Sequence, residues 1–302
     1  MINNSIAIYA DVKSSNIGVN YNIWVDFETT CYLDISINLD SCHVPTQNIN
    51  VFVPFKVNED EIKDLSPLYK NEKIATGILN RAVSSEEFKE KHYIKISFEQ
   101  GMPIAFIQLN DSNYSVTNLD SHSTMIKFRL LFPDNYHKAC VIFRIPFSSL
   151  TEQIHDILSN KRRWVEVLET PIMQRTYPFD FRVNEARSLP NAVAKKAEIF
   201  EIERQSFFIN VPININVDRY NCEKVRNIET DIFKEYFPSK SFEKGGLSYL
   251  WAYRSKSTAI VSTVLTYRKL SILSISLYLL IVAIINILSG IASNIICKLF
   301  FN

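Results

Sequence analysis

The feature that most constrains this chain is a long uncharged run near its C-terminal end, LSILSISLYLLIVAIINILSGIASNIIC. No charged residue occurs within residues 270–297. As a helix the run would be about 42 Å long, whereas the hydrocarbon core of a bilayer is about 30 Å thick. An uncharged apolar run of this length is typical of a membrane span, and the alternative is a long helix buried in a large domain.

The composition of the run also favours insertion into a bilayer. Its Leu, Ile and Val residues up to Leu288 each contribute about −0.3 to −0.6 kcal/mol, or about −4 to −8 kcal/mol together. Arg268 and Lys269 would each cost about 2.5 to 3.5 kcal/mol at the bilayer centre, so the span begins just after them. We therefore predict a transmembrane segment over residues 270–297, either one tilted helix or a helix ending near Gly290 with a short apolar tail.

The flanking charges predict how the span is oriented. Four basic residues precede the run and one follows it: Arg254, Lys256, Arg268, Lys269 and Lys298. This distribution keeps the N-terminal side in the cytoplasm. The start of the chain, MINNSIAIYADVKSS, has no basic region followed by a long apolar core, so no signal peptide is predicted. We expect a single-pass membrane protein whose residues 1–244 form a cytosolic domain.

Residues 245–269, between this domain and the span, allow three interpretations. Aromatic residues lie beside basic ones there, as in the headgroup layer of a membrane. Residues 257–267 are uncharged but too short to cross as a helix, so they lie along the membrane surface or form the last strand of the domain. A two-helix hairpin is the third interpretation, and its first helix would have to carry Arg254 and Lys256.

The cytosolic domain has mostly the periodicity of strands. In residues 31–39, apolar residues at odd positions alternate with mainly polar ones, which indicates a half-buried strand. Similar patterns predict strands at residues 5–10, 21–28, 50–55, 93–98, 104–109, 125–132, 139–147, 164–168, 179–183 and 199–213. Helical spacing is confined to residues 59–81, 149–159 and 225–236.

These elements predict an α+β fold with a β-rich domain, either a sandwich or an open barrel with helical insertions, followed by the C-terminal transmembrane helix. A polar turn near residue 160 is the candidate boundary between two subdomains. The formal net charge of +1 gives no signal for nucleic-acid binding. Five cysteines without a C-x-x-C pair predict neither a zinc site nor a disulfide framework, and no cofactor motif is present.

One string, IWVDFETT at residues 23–30, carries two carboxylates two positions apart, Asp26 and Glu28. On an extended chain both point to one side and can share a metal ion. The string resembles the first motif of the proofreading-type 3′–5′ exonucleases, which implies metal-binding roles for both carboxylates. Cys31 stands where that family has glycine, and none of the five histidines has an aspartate five residues on, as the family requires.

A second candidate site is a basic region between residues 161 and 198. Its arginines surround Asn184 in the string DFRVNEAR, and guanidinium groups bind carboxylates or phosphates through two parallel hydrogen bonds. We predict that this region binds a small anion or a protein partner through Arg162, Arg163, Arg182, Asn184 and Arg187. The alternatives are a solvated, ion-paired surface or a patch facing anionic lipid.

Polar residues also gather on one side of the predicted transmembrane helix. Asn286, Ser289 and Ser293 lie on one face at helical spacing, and the two serines form a small-xxx-small pair. Such faces allow helices to approach closely, and Asn286 can form hydrogen bonds to a neighbouring helix. We expect homo-oligomers that associate through this face.

The sequence favours a non-enzymatic sensor or effector, whose β-rich domain binds a ligand or protein while its helix anchors, oligomerises in or perturbs the lipid bilayer. This architecture would suit a bacterial stress or phage-defence protein. The alternatives are a passive tail-anchored scaffold and a membrane-tethered, metal-dependent nuclease that uses Asp26 and Glu28.

Overall fold

The computed structural model describes residues 5–11, 16–40, 46–131, 136–159, 172–237, 239–270 and 272–300. Most of these residues lie in strands. In chain order the strands are β1 (Ser5–Ala10), β2 (Asn16–Trp24), β3 (Tyr32–Asp40), β4 (Thr46–Val53), β5 (Lys63–Asp64), β6 (Val83–Phe88), β7 (Tyr93–Phe98), β8 (Ile104–Ile107), β9 (Tyr114–Asn118), β10 (Thr124–Leu131), β11 (Lys138–Pro146), β12 (Ile172–Val183), β13 (Ile202–Pro212), β14 (Ile215–Val217), β15 (Lys224–Ile228), β16 (Gly246–Lys256) and β17 (Ala259–Leu270).

Helices are fewer and, apart from the last one, short. The α-helices are α1 (Glu72–Leu79), α2 (Ser148–Ser159), α3 (Asn191–Glu198), α4 (Thr230–Tyr236) and α5 (Ile272–Phe300). Single 3-10 turns lie at Glu59–Glu61, Ser66–Lys70, Lys89–Lys91, Ala186–Ser188 and Lys240–Phe242. A β-rich α+β fold with a C-terminal apolar helix is therefore confirmed.

The strands form two mixed sheets. The small sheet has the order β14-β17-β12-β1-β4-β10-β9, and the large sheet has the order β15-β16-β13-β2-β3-β11-β8-β7-β6 with β5 added beside β11. Most neighbours are antiparallel, but β1 runs parallel to β12, β2 to β13 and β8 to β11. Parallel neighbours need long crossover connections. Here each connection contains strands of the other sheet, so the chain crosses from one sheet to the other and back.

The two sheets pack face to face and enclose one core, which makes the fold a sandwich. Alternate residues of β3 point into this core, among them Leu33, Ile35 and Ile37, and all are fully buried. Tyr21 of β2 stacks on Phe207 of β13 with ring centroids 4.8 Å apart and meets the edge of Phe181 from the small sheet at 5.6 Å. Aromatic contacts of this kind add to the area buried between the sheets.

A second, smaller apolar cluster lies on the outer face of the large sheet. There α1, α4 and two 3-10 turns cover part of the strands, and the buried residues include Tyr69, Ile74, Phe106 and Phe237. The molecule therefore has three layers along this part of the sandwich: the small sheet, the large sheet and a partial layer of helices.

The segment before the C-terminal apolar helix forms two long strands. Residues 246–256 pair with β13, and residues 259–270 pair along their whole length with β12. Of the three interpretations of this segment, the structure adopts the strand, because its β-branched residues alternate between the core and the outer face. The sandwich thus extends to Leu270. Strands β16 and β17 follow the predicted domain boundary between residues 244 and 245, but they pair with strands that precede it.

Two further predictions differ from the structure. Residues 225–228 continue a strand beside β16, and only residues 230–236 of the predicted helix are helical, because the edge of the large sheet accepts another strand there. The strand predicted over residues 21–28 ends at Trp24, since Asp26 folds the following residues into a turn. The boundary near residue 160 and the strand at 164–168 lie outside the described residues.

Candidate functional site

The C-terminal helix differs from the other described elements in its length, its apolar composition and its exposure. Within α5, residues Ile275–Ile295 have a mean hydropathy of 2.4, and none of this segment is buried against the sandwich. The helix is therefore long and apolar enough to span a membrane. The predicted packing residues Asn286, Ser289 and Ser293 are all exposed, so the chain itself leaves this polar face without a covering element among its described residues.

The DFETT string forms a turn at the end of the sandwich that leads into α5. Asp26 is 1% exposed, and both of its carboxylate oxygens accept hydrogen bonds. The donors are the Glu28 N–H (2.8 Å), the Thr29 N–H (3.3 Å) and the hydroxyls of Thr29 (2.8 Å), Ser239 (2.6 Å) and Ser241 (2.9 Å). Asp26 therefore ties two loops together, and its oxygens are occupied by protein donors.

The residues that follow Asp26 contact β17, the last strand of the sandwich. Phe27 stacks on Tyr267 with centroids 4.9 Å apart, and the Tyr267 hydroxyl donates to the exposed Glu28 carboxylate at 3.4 Å. Among the described residues no three His, Cys, Asp or Glu side chains are grouped so that they could hold a metal ion. Asp26 is therefore a buried structural acceptor, whereas Glu28 is exposed near the end of β17, and the nuclease alternative stays a prediction.

The structure places three of the predicted anion-binding residues in one turn after β12. Arg182 forms ion pairs with Asp180 at 2.6 Å and Glu185 at 3.6 Å, and Arg187 pairs with the same Glu185 at 2.9 Å. Hydrogen bonds from Ser188 and Arg187 lower the pKa of Glu185 and keep it ionised. The arginine charges are therefore already neutralised by two acidic partners.

Asn184 in this turn has a structural position. Its backbone is left-handed, with φ at 53°, which asparagine tolerates better than most residues. Its buried carboxamide accepts from the Ile8 N–H at 2.8 Å and donates to the Ile8 carbonyl at 3.0 Å, so it continues the pairing of β1. Arg162 and Arg163 lie outside the described residues. Anion binding by this set stays a prediction.

The outer face of strands β13, β2, β3 and β11 is unusually polar and divides into two halves. The half next to α5, which we call the covered half, is centred on Arg144 and Asp34. Both side chains are buried, and the guanidinium forms two hydrogen bonds to the carboxylate at 2.6 and 2.8 Å. A third bond joins Arg144 to the Tyr236 carbonyl at 3.0 Å, and the Trp24 indole N–H donates to Asp34 at 2.8 Å.

Aromatic rings complete the covered half. The Arg144 guanidinium lies 5.0 to 6.0 Å from four ring centroids, those of Phe237, Tyr236, Tyr32 and Trp24. Burial by itself lowers the pKa of Arg144. The charge and hydrogen bonds of Asp34 raise this pKa and more than offset the effect of burial, so the net pKa is above its ordinary value. Arg144 and Asp34 thus form a buried ion pair that aromatic rings cover. A cavity of about 360 Å³ lies beside it, between Trp24, Phe242 and α4.

The other half of these strands, away from α5, is open. It forms a cleft of about 590 Å³, which we call the distal cleft and which is lined by Gly18, Val19, Asn20, Asn38, Asp40, Ile78, Leu79, Arg81, Phe98, Ile104, Lys138, Glu203 and Arg204. The helical layer stops at its edge, because α1 ends at Leu79 and Asn80 takes a left-handed conformation. Uncovered polar residues of two central strands form the floor.

The distal cleft offers three kinds of contact. Asn20 and Asn38 present carboxamides that make no hydrogen bond within the described part of the chain, while Ile78 and Phe98 form an apolar wall. Lys138 and Asp40 pair with each other at 3.4 Å, which leaves Arg81, Arg204 and Glu203 as the charged rim. Sequence reasoning missed this site, although three asparagines on one face of β2 (Asn16, Asn20 and Asn22) were its visible signal.

No protein-family profile matches the sequence, and a search of the curated proteins finds no significant match.

Proposed function

We propose that this chain is a membrane-anchored, non-enzymatic sensor or effector, in which α5 spans the bilayer and the sandwich binds a ligand in the distal cleft. The observation that carries the proposal is the placement of the two elements. The strand β17 leads into the exposed apolar helix with one residue between them, while the cleft lies at the opposite end of the large sheet. The cleft is therefore accessible to a ligand when the helix is in the membrane.

The chemistry of the cleft favours a small anionic ligand with an apolar part. Arg81 and Arg204 provide guanidinium groups, which suit carboxylates and phosphates. The carboxamides of Asn20 and Asn38, which have no hydrogen-bond partner among the described residues, can donate and accept hydrogen bonds, and Phe98 offers a ring for packing. This site differs from the turn at Arg182 and Arg187, whose charges are already paired.

One experiment distinguishes the two candidate anion sites. We would measure thermal unfolding of the full chain in detergent micelles against a panel of small carboxylates and phosphates. A ligand at about 100 times its dissociation constant stabilises a protein by about 2.7 kcal/mol. We expect Arg204→Gln to abolish the shift and the control Arg187→Gln, at a side chain that is 91% exposed, to retain it.

If instead Arg187→Gln abolishes the shift and Arg204→Gln retains it, the ligand binds at the turn after β12. If no compound of the panel stabilises the chain, ligand sensing would be contradicted and a passive anchored scaffold would be favoured.

The exposed polar face of α5 supports a further part of the proposal, association of the helices into homo-oligomers. Small residues at Ser289 and Ser293 allow close approach, and Asn286 adds hydrogen bonds of about 0.6 to 2 kcal/mol. Replacing Asn286 and Ser289 by leucine keeps the helix apolar. Crosslinking in native membranes should then show fewer oligomers than for the unsubstituted chain, and an unchanged pattern would exclude this face.

A further inference from the structure

The turn between β13 and β14 carries an exposed apolar side chain beside the start of α5. Ile213 is 66% exposed, although its neighbours Pro212 and Ile215 are buried in the sandwich. The turn is fixed in place, because the Asn214 carbonyl accepts a hydrogen bond from the Arg268 N–H at 3.1 Å.

The strand register gives the height of this turn relative to the helix. Ile215 pairs with Tyr267 in an antiparallel ladder, so each step back along β14 corresponds to one step forward along β17. Asn214 is thus level with Arg268, and Ile213 is level with Lys269. From Lys269 the chain needs three residues to reach Ile272, the first residue of α5, which is at most about 10 Å.

Exposure alone does not distinguish Ile213, since single exposed apolar residues are common on soluble proteins. Ile199 is even more exposed, at 85%, but it lies before β13, at the end of the sandwich away from α5. The two isoleucines are separated by the length of β13, about 33 Å at ~3.3 Å per residue. What distinguishes Ile213 is its position at the root of the helix.

We infer that this turn is a second membrane contact of the sandwich: Ile213 enters the interfacial layer of the bilayer, and the basic residues Arg268 and Lys269 lie at the level of anionic headgroups. The inference rests on the proposed spanning role of α5. An apolar side chain next to basic residues matches the composition of that layer, where apolar groups are buried about 5 to 10 Å deep.

A second contact has a structural consequence for the whole domain. A sandwich attached only by one helix can tilt towards the membrane, whereas two contacts on one edge restrict that tilt. The distal cleft, about eight residues along β13 from Pro212, would then be held away from the lipid surface at a distance of about 26 Å.

The test uses spin labels at three matched exposed positions, introduced as Ile213→Cys, Ile199→Cys and Leu288→Cys in separate full-length chains. Cys42, Cys222 and Cys297 are replaced by serine in all of them. Cys31 and Cys140 are buried, and desolvation raises the pKa of each thiol to about 12, so neither reacts with the label. The chains are reconstituted into vesicles of phosphatidylcholine and phosphatidylglycerol.

The measured quantity is the collision rate of each label with oxygen, which concentrates in hydrocarbon, relative to a water-soluble nickel chelate. We expect the ratio at residue 288 to be that of the bilayer interior and the ratio at residue 199 to be that of water. At residue 213 we expect a ratio several-fold higher than at residue 199, and we expect it to fall in vesicles without phosphatidylglycerol.

The outcomes separate the inference from the function on which it rests. If residue 288 lies in hydrocarbon while residues 213 and 199 give the same aqueous ratio, the turn does not contact lipid and the inference is overturned. If residue 288 is itself aqueous, α5 does not span the bilayer, and the proposed anchoring fails with it.

Discussion

The covered half and the distal cleft lie on the same four strands and contain similarly polar residues, yet they have opposite relations to solvent. In the covered half, Arg144 and Asp34 form hydrogen bonds to each other, and rings from α4 and the following turn cover the pair. In the distal cleft, no element of the described residues covers Asn20 and Asn38. Polarity on a sheet face therefore does not by itself indicate a binding site, and what decides is whether the hydrogen-bonding groups already have protein partners.

In the covered half, the packing of one aromatic ring over the polar surface depends on a single glycine. Gly246 lies directly under Phe242: a Cβ at residue 246 would be 2.8 Å from the Phe242 ring and 2.8 Å from the Val211 carbonyl oxygen. Only glycine allows the ring to lie on the strand, where it meets Trp24 with centroids 5.5 Å apart.

The largest expected effect comes from breaking the buried ion pair. Arg144→Met should lower the free energy of unfolding by about 3 to 5 kcal/mol, because it leaves the Asp34 carboxylate buried without its partner. Urea unfolding followed by tryptophan fluorescence in detergent measures this loss. The double variant with Asp34→Leu should recover much of the stability, since it removes the unpaired charge. A loss below about 1 kcal/mol for Arg144→Met would mean that the covered half is open to water.

An intermediate effect is expected at the turn that carries the exonuclease-like string. Asp26→Ala removes the acceptor of five hydrogen bonds and should cost about 1 to 3 kcal/mol in the same assay. The matched control is Glu28→Ala, at an exposed carboxylate, which should change stability by less than about 0.5 kcal/mol. Equal effects would contradict the structural role of Asp26. Loss of metal-dependent nucleic-acid cleavage in stable variants would restore the nuclease hypothesis.

The smallest effect is expected in the distal cleft. Asn20→Ala and Asn38→Ala should each alter the free energy of unfolding by less than about 0.5 kcal/mol, because neither carboxamide forms a hydrogen bond to the described part of the protein. The same variants should weaken the stabilisation by any anion that Arg204 recognises. Strong destabilisation by either variant would show that the floor of the cleft is part of the packed structure, and the contrast between the two halves would disappear.

Much of the fold could be predicted because alternation and apolar length are local signals. The strands at residues 5–10 and 93–98 coincide with the predicted ones, and the apolar run specifies α5. The spacing of Val225 and Ile228, three residues apart, predicts a helix, but the edge of β16 accepts residues 224–228 as a strand. Similarly, the β-branched residues before α5 fit more than one structure locally, and their pairing with β12 determines that they form a strand.

The sites were harder to predict, because partners far apart in sequence determine them. Asp26 looks like a metal ligand until Ser239 and Ser241, more than two hundred residues away, occupy its oxygens. Asn184 looks like a contact for an anion until Ile8 uses its carboxamide. The distal cleft exists because α1 ends at Leu79, and no local pattern gives the position of that helix end over β2 and β3.

The claim on which all the others depend is that α5 anchors the sandwich in a membrane. Carbonate extraction of membranes from cells that express the full chain tests it most directly, beside a variant with Leu280→Arg and Ile284→Arg. Each arginine should cost about 2.5 to 3.5 kcal/mol at the bilayer centre, enough to offset most of the insertion free energy. We predict that the unsubstituted chain stays in the membrane pellet while the variant moves to the supernatant. Full extraction of the unsubstituted chain into the supernatant would contradict membrane anchoring.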